Sequence, residues 1–138
     1  MSNQCRMRPS RKGQQVNDDL WVIAVDFDGT LCEKAYPDIG APIYTMIEVA
    51  IYRKKVQGCK LILWTCRTEQ FLADAVAWCA THGLYFDAVN DNLPERVALF
   101  GSNPRKVNAD EYWDDKSVPL EIVKRIFEYE REGNSQKV

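Results

Sequence analysis

Residues 20 to 27, LWVIAVDF, form a short apolar, β-branched run that ends on a carboxylate and is followed at once by Asp28, Gly29 and Thr30. So apolar a segment reads as a strand buried on both faces, which obliges the rest of the chain to cover two sides of a sheet. The sequence supplies that cover. After a polar loop with Pro37 and Gly40, the stretch from Ala41 or Pro42 to Val56 sets Ile43, Met46, Ile47, Ala50 and Ile51 at helical spacing. Arg53, Lys54 and Lys55 load its C-terminal end, where cations suit the helix dipole. Pro42 suits its first turn and Gly58 its exit. Lys60 to Trp64 is a second buried strand, and Thr68 caps a helix running to about Thr81 with Leu72, Ala75, Val76 and Cys79 inward. His82-Gly83 ends that helix, with Gly83 as a left-handed cap.

Leu84 to Val89 is the third strand. Residues 90 to 105 read as loop with a helical turn near Arg96 to Leu99, and Ala109 to Trp113 is the fourth strand. Val118 to Arg131 makes the last helix, with Leu120, Val123, Ile126 and Phe127 inward and Gly133 at its end. Strands alternating with helices predict an α/β chain, an open and mainly parallel sheet between two helical layers in the three-layer Rossmann-like manner. No internal repeat is present. In such folds ligands collect at the carboxyl ends of strands.

The 138 residues suffice for one domain, expected at 20 to 132, with a disordered basic leader at 1 to 19 and a disordered tail at 133 to 138. Arg6, Arg8, Arg11 and Lys12 stand in the first 17 residues with no acidic neighbour, leaving 14 basic against 20 acidic groups in the body. Such a leader reads as a solvated tail; nucleic-acid binding through four charges is a weak second reading. No apolar run approaches the ~20 residues of a bilayer span, and no apolar stretch follows the leader as in a secretion signal. The five cysteines, at 5, 32, 59, 66 and 79, contain no CxxC pair and read as free thiols, three of them in the core. With His82 the sole histidine, a zinc site has little support, and a cytoplasmic location is expected.

Asp26 and Asp28 share a strand end, where two carboxylates repel unless a cation sits between them or they act in turn on a substrate. Gly29 lets the backbone turn and leaves room for a ligand. An acidic β-turn is the plain alternative. Thr65-Cys66-Arg67 follows the second strand, where a hydroxyl and free N–H groups can hold a phosphoryl oxygen; Thr65 can equally be a simple cap. Lys106 precedes the fourth strand, and Asp114 and Asp115 follow it, either as ligands or as a loop cap. Arg67 can meet substrate phosphate or pair with an acid.

Taken together, VDFDGTL at 25 to 31, LILWT at 61 to 65, Lys106 and YWDD at 112 to 115 resemble the four motifs of the haloacid-dehalogenase-like superfamily, in its phosphatase branch. The resemblance covers residues 21 to about 127 and is closest to small hydrolases with a Lys-x-x-Ala-Asp-x-x-x-Asp-Asp ending, here Lys106 to Asp115. It implies a Mg2+-dependent phosphate monoester hydrolase. Asp26 would be the nucleophile that forms an aspartyl phosphate, and Asp28 the acid and then the base. Dehalogenases of the superfamily lack an acid at that second place, which favours phosphoryl chemistry. Magnesium would be held by Asp26, the Asp28 carbonyl and Asp114, with Asp115 through water. Thr65 and Lys106 would neutralise the transferring group, and Thr30 would orient Asp28. Gly29, Thr30, Cys66 and Arg67 complete the expected substrate contacts, Cys66 through its backbone N–H. Arg105 is a rival to Lys106 for the cationic role.

The gaps where larger relatives carry a cap, Cys32 to Ala41 and Asn90 to Arg105, are about ten and sixteen residues, too short for a packed domain. A capless member is therefore expected, its open cleft taking a phosphorylated small molecule or nucleotide, or covered by a neighbouring subunit in a homo-oligomer. Residues 90 to 105 are the candidate flap. Two rival readings are a nucleic-acid-end phosphatase and a phosphate-binding module without turnover.

Overall fold

Four short strands lie side by side in the order β3-β2-β1-β4, all parallel, in the computed structural model, which describes residues 19–135. They are β1 (Val22–Val25), β2 (Lys60–Leu63), β3 (Ala88–Val89) and β4 (Glu111–Trp113). The helices are α1 (Tyr44–Lys55), α2 (Glu69–Thr81), α3 (Pro94–Phe100) and α4 (Leu120–Ser135). The order of elements is the predicted one except that a helix, α3, stands where a loop was expected between the third and fourth strands, and the expected α/β fold is observed. Apart from Asp19, the predicted leader lies outside the described residues, as do residues 136 to 138 of the tail.

Strand side chains alternate between two faces, and both are buried, as a parallel sheet requires. Ile23, Val25, Leu61 and Leu63 meet Ile47 and Ala50 of α1 and Ala75 and Cys79 of α2, all at most 3% exposed. Val22, Ala24 and Ile62 instead meet Leu93 and Val107 on the opposite face. Gly83 takes the left-handed conformation predicted for it (φ 78°). Among the described residues neither interval proposed as cap-free folds as a separate domain. No helix among them is long and apolar enough to cross a membrane.

Three expectations are corrected. Residues 90 to 105 are more than a loop with one helical turn: Pro94 starts α3 at its first turn and Gly101 (φ 70°) closes it. Asn92 is buried and pins the segment, donating to Asn103 Oδ1 (2.9 Å) and the Pro104 carbonyl (3.0 Å) and accepting from the Asn108 amide (2.6 Å). Arg96, also buried, donates to Asn108 Oδ1 (2.6 Å) and the Leu20 carbonyl (2.9 Å). Cys32, Cys59 and Cys79 are buried as expected, but Cys59 is disulfide-bonded rather than a free thiol.

The third correction concerns α4. Its predicted inward face is exposed: Leu120 by 76%, Val123 by 49%, Ile126 by 58% and Phe127 by 64%. The amphipathic pattern is real, but it only says that one face is apolar. Gly133 does not end the helix, because it lacks the positive φ of a glycine cap, and the helix continues to Ser135. This division gives a paired expectation. Leu61→Ala, at a fully buried strand position, should cost ~2–5 kcal/mol, whereas Phe127→Ala on α4 should stay within ~0.5 kcal/mol. Urea denaturation of both variants decides; comparable losses would mean that α4 belongs to the core.

Candidate active site

Parallel pairing sets Val25 of β1 opposite Trp113 of β4, so the residues that follow, Asp26 and Asp114, emerge side by side. The Asp26 amide continues the ladder, donating to the Trp113 carbonyl (2.8 Å). Here the chain order turns: β2 and β3 lie on one side of β1 and β4 on the other. At such a switch point the loops diverge and leave a crevice. One oxygen from each of Asp26, Asp114 and Asp115 lies within 4.8 Å of the other two. Residues from the two motifs predicted to meet do meet.

Three carboxylates so close repel. Burial raises the Asp26 carboxyl to about 7, against the lowering effect of the Phe27 backbone N–H, with Asp114 and Asp115 adding to the rise. Asp115 is held below the usual carboxylate range, chiefly by Lys34, whose Nζ lies 2.9 Å from its Oδ2. Lys34 in turn is held above its ordinary range by that same bond. Three acidic oxygens around one point form a hard donor set of the kind that magnesium or a similar divalent ion takes, and a carboxyl raised by burial and then by its acidic neighbours would be relieved by one.

A tight turn seats this cluster. The Leu31 amide returns to the Phe27 carbonyl (2.9 Å) and the Gly29 amide to the Cys32 carbonyl (2.8 Å), with Gly29 at φ 85°. A β-carbon on Gly29 would run into the Asp115 carboxylate and the Lys34 stem. Thr30 is buried and its Oγ1 accepts the Asp115 amide (3.2 Å). Its contact is therefore with the fourth-strand loop, not with Asp28 as the resemblance implied.

The Asp28 carboxylate is not one of the acidic trio and accepts from Arg67 twice, Nε to Oδ2 and Nη2 to Oδ1, both 2.8 Å. Of the two readings left open for Arg67, pairing with an acid is the one observed, though the acid is Asp28 and not one on the following helix. Thr65 Oγ1 accepts the Arg67 amide (3.2 Å), leaving its own proton free to be donated, and Cys66 is exposed. Lys106 is exposed and its Nζ lies 5.5 Å from the Tyr112 ring centre. The lysine in contact with the acidic cluster is Lys34. Asp114 is a loop cap, its Oδ1 accepting the Lys116 amide (2.9 Å), and it also contributes an oxygen to the acidic cluster.

Two contributors escaped the sequence reading. Lys34 sits in a polar loop with no periodicity to mark it. Asn90, at φ 51°, directly follows β3, accepts the Thr65 amide (2.8 Å) and donates to the Arg67 carbonyl (3.3 Å), bracing the second-strand loop. The rule that ligands gather after strands, applied to the third strand, would have found Asn90.

The sequence matches no protein-family model and no curated protein. Among solved structures it is similar to the conserved protein coded by a locus from Bacteroides thetaiotaomicron, at 34% identity over 80% of this chain and 92% of that one, with a TM-score of 0.64.

Two outcomes follow from the cluster. Since folding raises the Asp26 carboxyl from 3.8 to about 7, the folded state holds a proton that the unfolded chain has lost between those values, and stability falls as pH rises across that window. In EDTA, Asp26→Asn should thus be more stable than the parent at pH 8 by on the order of 1–3 kcal/mol, allowing for screening at a partly exposed site, and near parity at pH 4. Urea titrations at both values check this; no gain at pH 8 would contradict it. Gly29→Ala should lose ~1–2 kcal/mol from its left-handed backbone, and weaken Mg2+ binding about 10–100-fold by displacing Asp115, read by calorimetric titration.

Proposed function

The chain belongs to the same family as the conserved Bacteroides thetaiotaomicron protein, and we propose that it is a Mg2+-dependent phosphohydrolase of the haloacid-dehalogenase-like type acting through Asp26. The observation that carries this reading is the convergence of Asp26, Asp114 and Asp115 within 4.8 Å at the carboxyl ends of two adjacent parallel strands. A bound magnesium ion would be held by these carboxylates and would supply positive charge for the transferring phosphoryl group.

In this reading an Asp26 oxygen attacks phosphorus. The new O–P bond forms as the bond to the leaving oxygen breaks, and its electron pair departs with that oxygen, which takes a proton from Asp28. Water then attacks the same phosphorus, gives a proton back to Asp28, and the O–P bond to Asp26 breaks to regenerate the carboxylate. The Thr65 hydroxyl and the Cys66 backbone N–H are the groups of the second-strand loop available to the phosphoryl oxygens, since the Thr65 and Arg67 amides already donate to Asn90 and Thr65. For the cationic role the reading now includes Lys34, already at the acidic cluster, beside Lys106.

The proposed substrate is a phosphorylated small molecule or nucleotide, admitted by a site that no separate domain covers among the described residues. A cytoplasmic setting is part of the proposal, supported by the free thiols Cys32, Cys66 and Cys79 and opposed by the disulfide at Cys59.

Purified protein should release p-nitrophenol from its phosphate ester with MgCl2 and not with EDTA. Asp26→Asn should lower the rate by at least about 10³-fold while keeping the far-ultraviolet circular dichroism of the parent. Substantial turnover by that variant would exclude the covalent route. A folded parent inactive on every phosphate ester would favour a phosphate-binding module.

A further inference from the structure

Arg67 is, with Arg96, one of two arginines sealed among the described residues, with 1% of its side chain exposed. Its guanidinium has five N–H donors in one plane. Four are committed: Nε to Asp28 Oδ2 (2.8 Å), Nη2 to Asp28 Oδ1 (2.8 Å) and to the Asp38 carbonyl (2.8 Å), and Nη1 to the Pro37 carbonyl (3.1 Å). The faces of the plane are taken as well, since its central carbon lies 5.1 Å from the Phe27 ring centre and 5.0 Å from that of Tyr36. A group so saturated has no fork left for an anion. It is no phosphate clamp.

Resting on the phosphohydrolase reading above, we infer that Arg67 is the positioning residue of that reaction, fixing the carboxylate of Asp28 in the orientation that proton transfer needs. The two parallel bonds hold both oxygens in one plane, a constraint that a single-point cation cannot impose. Each Asp28 oxygen keeps a second lone pair, so the clamp leaves room for a proton or a leaving-group oxygen. The arrangement also joins three parts of the chain. Arg67 follows β2, Asp28 follows β1, and Pro37 and Asp38 belong to the loop that carries Lys34 to Asp115. Without the guanidinium, Asp28 is free to rotate, and a displacement of about 1 Å in a proton donor can cost on the order of 10²-fold in rate.

A donor that protonates the departing oxygen matters most when that oxygen leaves poorly. Arg67→Lys keeps the buried charge and loses the fork. With MgCl2, kcat should fall about 10²-fold on phenyl phosphate, whose leaving group needs the proton, and less than about 10-fold on p-nitrophenyl phosphate, with KM little changed on either. In an Asp28→Asn background the same substitution should add less than about 3-fold, because its route of action is gone. Equal losses on the two esters, or a raised KM with kcat intact, would overturn the positioning role in favour of a purely structural one or of an anion contact. If Arg67→Lys does not fold, the pairing is read with Arg67 intact. Its Nε–H signal should exchange slowly with solvent in the parent and at least about 10-fold faster in Asp28→Asn, where one charged acceptor is lost; unchanged exchange overturns the inference. The parent with MgCl2 separates the two levels. Inactivity on both esters defeats the phosphohydrolase reading itself, whereas activity with unselective losses defeats only the role of Arg67.

Discussion

Like charges gathered where two parallel strands end are the constraint around which the rest of this protein is arranged. The register that sets Val25 against Trp113 leaves Asp26 no choice but to emerge beside Asp114. Asp115 follows with the chain, and burial then works against ionisation of Asp26. Each nearby feature reads as an accommodation of that repulsion. Gly29 gives up a side chain where one would strike Asp115, Thr30 anchors the Asp115 amide, and Lys34 brings a counter-ion.

Two cations serve two acids here, and their surroundings differ in kind. The Lys34 side chain is 60% exposed, and such pairs contribute ~0–1 kcal/mol because water and salt screen them. That contact can be exchanged at little cost for a ligand or an ion. Arg67 is sealed, stacked and bonded at both ends of its fork, so breaking it would strand a buried charge. The fold thus holds Asp28 firmly and Asp115 loosely. Both cations act on the short loop between Cys32 and Ala41, one from within it and one by gripping its carbonyls.

The opposite end of the chain behaves differently. On α4 the spacing of Leu120, Val123, Ile126 and Phe127 describes an apolar stripe, yet the described side chains of that helix as far as Glu132 are exposed. Periodicity identifies a face without naming what it meets, and here the link through Val118 and Pro119 carries the helix clear of the sheet. In α3 the reverse occurred. A segment rich in asparagine reads as loop, but buried Asn92 bonds to Asn103, the Pro104 carbonyl and the Asn108 amide, and buried Arg96 holds the Asn108 side chain.

The sequence alone determined the strand-helix alternation, the parallel sheet and the carboxylates at its edge, because these follow from local patterns with periods of two and 3.6 residues and from residues adjoining strand ends. Tertiary structure decided which cation meets which acid. Lys34 rather than Lys106 touches the acidic cluster, Thr30 serves Asp115 rather than Asp28, and Arg67 closes on Asp28 from 39 positions away. Side chains this long reach several ångströms in many directions, so their partners depend on how loops from different strands lie against one another, and no spacing along the chain encodes that.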